Sequence, residues 1–370
     1  MENNTKIIAT IGPACKGKKT LQSMVDSGVN VFRLNMSHGD ESSKLKLYNL
    51  VKSLSHKNGE RPCILADLAG PKIRITDVIP NFVLESGQLI SITNEKDADR
   101  SHIRVTEAVG FANINKGATI LINDGRIQLE VIDAISENTI KCQTIIGGLV
   151  EPRKGVNFPG ITLNVPPLTD QDKVDLKMAL KEGADWIALS FVRSANDVKE
   201  VHAIMDEAGK RLPVMAKIEK WEALEHLDKI IDTFDGVMVA RGDLGVEIPQ
   251  EQVPLIQKKI ISMANKSGKP VIIATQLLET MVESPTPTRA EISDIANAIF
   301  DGTDALLVTG ETAVGKFPDK VIEVLKKVII ETENTIDYSS ILQPIGHEHH
   351  TADICYVFYC KLVRARSIEV

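Results

Sequence analysis

Residues 213–243 read PVMAKIEKWEALEHLDKIIDTFDGVMVARGD, and two runs in this stretch decide the fold. Pro213–Glu219 (PVMAKIE) and Gly236–Asp243 (GVMVARGD) are short and apolar, and each ends in charged residues. Working outward, the same kind of run recurs at Lys6–Gly12 (KIIATIG), Asn30–Met36 (NVFRLNM), Pro62–Leu68 (PCILADL), Trp186–Phe191 (WIALSF), Pro270–Gln276 (PVIIATQ) and Ala305–Glu311 (ALLVTGE). Near-continuous apolar runs of this length suit parallel strands buried on both faces. Segments with helical spacing lie between them, such as Leu21–Ser27, Gln171–Glu182, Asp197–Ala208, Gln252–Lys266 and Arg289–Phe300. Asp170 and Asp197 are placed to cap helices, and Gly183, Gly209 and Gly268 to stop them. Strand and helix alternating eight times predict an α/β fold, a (β/α)8 TIM barrel. An open doubly wound sheet is the alternative, but it would usually carry fewer strands and a Gly-rich turn after the first.

One unit is interrupted. From about Ile75 to Lys154 the helical period is lost and Val, Ile and Thr dominate, with turn signals at Ser86-Gly87, Lys116-Gly117 and Asn123-Asp124-Gly125. The expected organisation is barrel over 1–74, an inserted β-rich lid over 75–154, barrel again over 155–336, and a linker and remnant over 337–370. Gly147-Gly148 and Pro166-Pro167 fall where hinge and linker residues of the return belong.

With 370 residues, 43% apolar and 25% charged content, the composition is that of an ordinary soluble globular protein. The net charge of −7, with no basic stripe, argues against a nucleic acid polymer as partner. No segment reaches membrane-spanning length, and MENNTKIIAT has no apolar run behind a basic leader. Cys15, Cys63, Cys142, Cys355 and Cys360 form no Cys-x-x-Cys pair, which suits reduced thiols and a cytoplasmic location.

Barrel enzymes carry their chemistry at the carboxyl ends of the strands. Here those ends present Arg33, Asn35 and Ser37, then Asp67, Ser190, Lys217 and Glu219, Arg241 and Asp243, Thr275 and Gln276, and Thr309 and Glu311. Glu219 and Asp243 close adjacent strands and suit one Mg2+, whose octahedron substrate oxygens and waters complete; surface ion pairs with Lys220 and Arg241 are the plainer reading. Lys217 lies two residues before Glu219, on the same inward face, where an ammonium can meet a transferring phosphoryl group. Gly242 admits close backbone approach, and its N–H suits a carboxylate. There is no P-loop, so Arg33, Arg74 and Lys154 are the candidate nucleotide contacts.

At these residues the sequence closely resembles the pyruvate kinase family. The matching segments are TKIIATIGPA (5–14), GVNVFRLNMSHGD (28–40), DLAGPKIR (67–74), RKGVNFPG (153–160), MAKIEKWEAL (215–224), ARGDLGVEIP (240–249), GKPVIIATQLLETM (268–281) and the run from Pro285 to Pro318. The resemblance implies transfer of the phosphoryl group of phosphoenolpyruvate to ADP, giving pyruvate and ATP in glycolysis, with Mg2+ (Mn2+ substituting) at Glu219 and Asp243. It implies that Lys217 steadies the phosphoryl group and that Arg33 contacts the phosphate. Gly242, Asp243 and Thr275 would hold the carboxylate, with Thr275 in the relay that protonates the enolate. Asn35, His38, Arg74 and Lys154 would surround the nucleotide phosphates. His38 alternatively caps the helix that follows it.

Two departures stand out. Family members typically read Asp-Thr-Lys-Gly-Pro-Glu after the third strand and bind K+ through Asn35, Ser37, Asp67 and the next residue, here Leu68. This chain reads Asp67-Leu68-Ala69-Gly70-Pro71-Lys72, which resembles the K+-independent branch, with the Lys72 ammonium as an internal cation replacing K+. After about Thr335 only DYSSILQPIGHEHH and a segment resembling the first helix of the family's C-terminal α/β domain remain, so the chain is expected to be shortened there and free of control by that domain. His347, His349 and His350 read as linker, with metal binding the alternative. A homo-oligomer is expected, a dimer through the barrel. The competing functions are a catalytically weak homologue acting as a binding or regulatory partner, and a different Mg2+-dependent enolate-forming barrel enzyme.

Overall fold

A computed structural model describes residues 4–336, except 80, 81, 97–101, 107–109, 112, 113 and 164. The expected remnant over 337–370, with its three histidines, Cys355 and Cys360, lies outside the described residues. Eight parallel strands close a barrel: β1 (Lys6–Thr10), β2 (Val31–Asn35), β3 (Cys63–Asp67), β4 (Trp186–Leu189), β5 (Val214–Ile218), β6 (Gly236–Ala240), β7 (Val271–Ala274) and β8 (Ala305–Val308). Each pairs with its sequence neighbours, and β8 returns to β1 in the register Lys6 to Ala305. Every run read as a strand from its apolar pattern is one, and the fold is the α/β barrel.

Both strand faces are buried, for a reason visible in the alternation. Ile8, Val31, Leu65, Ala188, Met215, Met238, Ile272 and Leu307 fill the barrel interior. Their neighbours Ile7, Phe32, Ile64, Ile187, Ala216, Val239, Ile273 and Val308 face outward, under the helices. Those helices include Lys18–Ser27, Glu41–Lys52, Asp170–Glu182, Val198–Glu207, Val253–Lys266, Arg289–Phe300 and Pro318–Glu333. The cap of the third lies one residue earlier than expected. Thr169 is the N-cap, in a capping box with Asp172, so Asp170 is the first helical residue. Gly183, Gly209 and Gly268 all take positive φ after helices, as expected of stop residues.

The helix belonging to β3 comes only after the inserted segment. That segment folds as a seven-stranded sheet, ordered along the sheet as Val156–Asn157, Thr119–Ile122, Ile127–Ser136, Thr139–Ile146, Leu89–Thr93, His102–Val105 and Ile75–Asp77. It has its own core, with Ile92, Ile120, Leu129, Val131, Ile140, Phe111 and Phe158. Asn123, Asp124 and Gly125 turn the chain with φ of 54°, 56° and 84°. Gly147-Gly148 is not at the return. Gly148 opens a strand paired with Phe82–Leu84, and a Cβ on Gly147 would lie 2.2 Å from the Leu84 carbonyl oxygen. The return runs instead beside the exit: Ile75 N–H donates to the Lys154 carbonyl and Val156 N–H to that of Ile73.

Just past β1, Gly12 packs against the short helix Gly310–Ala313 so closely that a Cβ there would meet the Ala313 carbonyl oxygen at 2.4 Å. Backbone cannot yield as a side chain does. Gly12→Ala is expected to destabilise the fold by about 2–3 kcal/mol, read as a lower urea midpoint at unchanged slope.

Candidate active site

The alternation that fills the barrel interior also builds the site. One step beyond the inner apolar layer, the next inward positions are Thr10 after Ile8, Arg33 after Val31, Asp67 after Leu65, Ser190 after Ala188 and Lys217 after Met215. These five side chains form one connected network. Arg33 donates to Asp67 Oδ2 at 2.6 Å and to Thr10 Oγ1 at 3.1 Å. Lys217 Nζ lies 3.2 Å from Asp67 Oδ1, 2.9 Å from Glu219 Oε1 and 2.7 Å from Ser190 Oγ. Ser190 in turn donates to the Leu68 carbonyl at 2.7 Å.

Lys217, Asp67 and Glu219 are thus buried together, with Arg33 half-buried beside them, which is tolerable only because each is paired. Burial pushes the Asp67 carboxyl up, but the charges of Lys217 and Arg33 outweigh it and hold Asp67 below its usual value. Burial likewise works against the Lys217 ammonium, yet Asp67 and Glu219 together hold its proton more tightly than usual. Glu219 receives only a share of that ammonium and stands near the Asp243 charge, so burial pushes it upward. A carboxylate held in this state attracts a cation.

Asp243 sits in the first turn of the helix Arg241–Glu247, which follows β6 directly. Its Oδ1 accepts from Lys72 Nζ at 2.8 Å, and the same ammonium lies 5.8 Å from the centre of the Phe191 ring. The backbone N–H of Phe191, at φ 55°, donates to Glu219 Oε2. Among the described residues no cluster of three or more metal-ligating side chains occurs. Glu219 and Asp243 fit a hard divalent cation nonetheless, because Mg2+ commonly takes one or two carboxylates and leaves its other positions to substrate and water.

On the next strand end, Thr275 and Gln276 both take positive φ, 69° and 54°. For a β-branched residue this is a strained conformation, costing about 1–3 kcal/mol. Three groups hold it. Gly242 N–H donates to Thr275 Oγ1 at 2.8 Å, Thr275 Oγ1 donates to the Ala274 carbonyl at 2.6 Å, and Arg241 donates to the Thr275 and Gln276 carbonyls at 2.8 and 3.1 Å. Arg241 is itself anchored to Asp294 at 2.7 Å.

The expected site residues therefore divide. Arg33, Asp67, Lys217, Glu219, Lys72, Asp243, Gly242 and Thr275 come together at the barrel mouth. Ser37, His38, Lys72 and Arg74 line one cavity of about 810 Å3 beside it, joined by Arg153. Asn35 turns its amide oxygen to the Ser37 N–H, and Lys154 Nζ lies 3.5 Å from Glu151. Neither lines that cavity. Among the described residues the Lys72 ammonium bonds Asp243 and not the Asn35, Ser37, Asp67 and Leu68 group. Glu311 is buried and accepts N–H bonds from Thr309 and Leu278, a structural role. The Thr10 and Phe191 contacts had no motif to announce them. Ser190 was legible as a strand end, but not its place between Lys217 and the Leu68 carbonyl.

Eight parallel strands closed in a barrel, with buried Lys, Asp and Glu side chains at their carboxyl ends, define an α/β barrel with a charged site at its mouth. Residues 2–322 match the family model of the pyruvate kinase barrel domain. Pyruvate kinase 2 of a Synechocystis species is 43% identical over 340 residues, 89% of this chain and 56% of the relative. The pyruvate kinase of Thermotoga maritima is 44% identical over 353 residues, 95% of this chain and 74% of the relative. A crystal structure of a pyruvate kinase from Cryptosporidium parvum superposes with a TM-score of 0.84 at 35% identity, covering 93% of this chain and 74% of that one. The chain belongs to the pyruvate kinase family. It spans little more than half the length of the Synechocystis relative and about three-quarters of the Thermotoga one.

Proposed function

We propose that the chain transfers the phosphoryl group of phosphoenolpyruvate to ADP, giving pyruvate and ATP, as a glycolytic kinase of the cytoplasm. The observation that carries this reading is the buried Lys217 ammonium, held on the inner layer beside Glu219 with Asp243 close by. A phosphoryl group between donor and acceptor oxygens needs positive charge placed in advance. Lys217 and Arg33 supply it from the barrel floor, held in position by Asp67. Bound between Glu219 and Asp243, Mg2+ or Mn2+ would neutralise phosphoryl and substrate oxygens. Gly242, Asp243 through its backbone, and Thr275 are assigned to the substrate carboxylate, for which the Gly242 N–H would exchange its present partner, Thr275 Oγ1. The P–O bond of phosphoenolpyruvate breaks as a new one forms to the terminal oxygen of ADP, and the enolate left behind takes a proton at carbon. The Thr275 hydroxyl, fixed by Gly242 and Ala274, is positioned for the relay that delivers it. Arg74 and His38 line the cavity suited to the nucleotide phosphates, and Asn35 and Lys154 belong to the same assignment.

The division into barrel (1–74 and 155–336), inserted lid (75–154) and following segment (337–370) is part of this reading, as is a homodimer formed through the barrel. So is independence from K+. The tethered ammonium of Lys72, which pairs with Asp243, would supply the positive charge that a monovalent cation otherwise brings, and a second cation beside it would be repelled. No helix among the described residues is long and apolar enough to cross a membrane.

The test is a coupled assay of ATP formation from phosphoenolpyruvate, ADP and Mg2+ in buffer free of K+ and Na+. Turnover is expected, with less than about a twofold gain when K+ is added. Strict dependence on K+ would overturn the role of Lys72. Absence of turnover with or without K+ would favour the binding-partner reading instead.

A further inference from the structure

The helix that begins with Arg241 and carries Asp243 ends at Glu247, whose carboxylate is fully buried. Its Oε1 accepts from Lys220 Nζ at 2.8 Å and from Asn157 Nδ2 at 2.8 Å. These partners come from two other parts of the molecule. Lys220 directly follows Glu219 on the loop after β5. Asn157 lies on the strand Val156–Asn157, which pairs with Thr119–Ile122 of the inserted sheet. One carboxylate oxygen therefore ties together the segment bearing Glu219, the helix bearing Asp243 and the inserted sheet.

The seam it closes is narrow. A cavity of about 40 Å3 is lined by Asn157 and Lys220 and also by Lys72 and Phe191, the residues that hold Asp243 and Glu219 respectively. Arg193 closes the same seam by donating to the Leu163 and Val165 carbonyls at 3.0 and 2.6 Å. Lys220 is partly buried, but the Glu247 carboxylate is fully buried, so breaking the pair leaves that carboxylate without its counter-charge or moves one of the partners. Displacing Lys220 displaces its neighbour Glu219, and displacing the end of the short helix shifts Asp243.

We infer that Glu247 is a positioning residue that couples the placement of the inserted sheet to the divalent-cation site. This rests on the reading that Glu219 and Asp243 hold that cation. The experiment measures Mn2+ binding by electron paramagnetic resonance, without substrates and without turnover, in the full chain, in Glu247→Gln and in Asn157→Ala. Glu247→Gln is expected to weaken Mn2+ binding about tenfold. Asn157→Ala, which leaves the Lys220 pair intact on a partly exposed strand, is expected to weaken it about threefold. The double variant should fall short of the sum, because both act through one oxygen. Unchanged Mn2+ affinity in both variants, even with lowered thermal stability, would make Glu247 merely structural and overturn the inference. A loss in Glu247→Gln with none in Asn157→Ala would remove the coupling to the sheet. If Glu247→Gln does not fold, Asn157→Ala alone decides. Failure of the unaltered chain to bind Mn2+ at all would instead overturn the cation site, and the coupling with it.

Discussion

Lys217→Met is expected to lower kcat for ATP formation about a thousandfold, with a much smaller change in KM. Methionine reproduces the length and the apolar stem of lysine, so the barrel interior keeps its packing. What disappears is the ammonium that faces Asp67, Glu219 and Ser190 together. Removing a single preorganised group that stabilises developing charge costs about 10²–10³ in kcat, and about 4 kcal/mol corresponds to the upper figure. Because this charge acts mainly on the phosphoryl group in transit, the loss falls on kcat and not on substrate binding. Arg33 remains on Asp67, so that carboxylate keeps a counter-charge. Steady-state kinetics with circular dichroism as the fold control make the check. A kcat within tenfold of the unaltered chain would remove Lys217 from the mechanism.

Asp67→Asn is expected to destabilise the barrel by about 3 kcal/mol at neutral pH, because it removes the carboxylate shared by Arg33 and Lys217 and leaves Lys217 with Glu219 alone. Asn keeps the shape and can accept a hydrogen bond, so the loss is one of charge. The pH dependence identifies it. Folded Asp67 ionises below its ordinary value of 3.8, because Lys217 and Arg33 outweigh burial. The unfolded chain therefore binds this proton more readily than the native chain. The stability from Asp67 is complete above 3.8 and is lost as pH falls through the depressed native value. Urea unfolding between pH 7 and pH 3 should show the unaltered chain losing this increment at the acid end. The variant should lack it throughout. Equal acid slopes for the two proteins would mean that Asp67 is not held ionised by its neighbours.

Much of this architecture was legible one strand at a time. The eight apolar runs marked the barrel strands because burial on both faces leaves no room for polar residues until the strand ends. The two-residue period then put Lys217 and Glu219 on one face, and it does the same for Arg33, Asp67 and Ser190. Asn123-Asp124-Gly125 turned where its composition required. Thr169 was missed as a cap because its neighbour Asp170 offers an equally good side chain, and only backbone geometry separates them. Gly147-Gly148 was misplaced for a related reason. A glycine demanded by close packing against Leu84 looks, in sequence, like one demanded by a hinge.

By itself, then, the amino-acid order determined which side chains stand at the barrel mouth and which way the strands present them, since alternation is a local property of the chain. Tertiary structure decided which of them meet. Lys72 reaches Asp243 across 171 residues of sequence, Glu247 joins Lys220 to Asn157, and Arg241 braces the left-handed Thr275-Gln276 turn. No local pattern encodes these contacts, because they depend on closing the barrel and seating the inserted sheet. Only that closure makes the dielectric low enough for the pairing of these charges to matter.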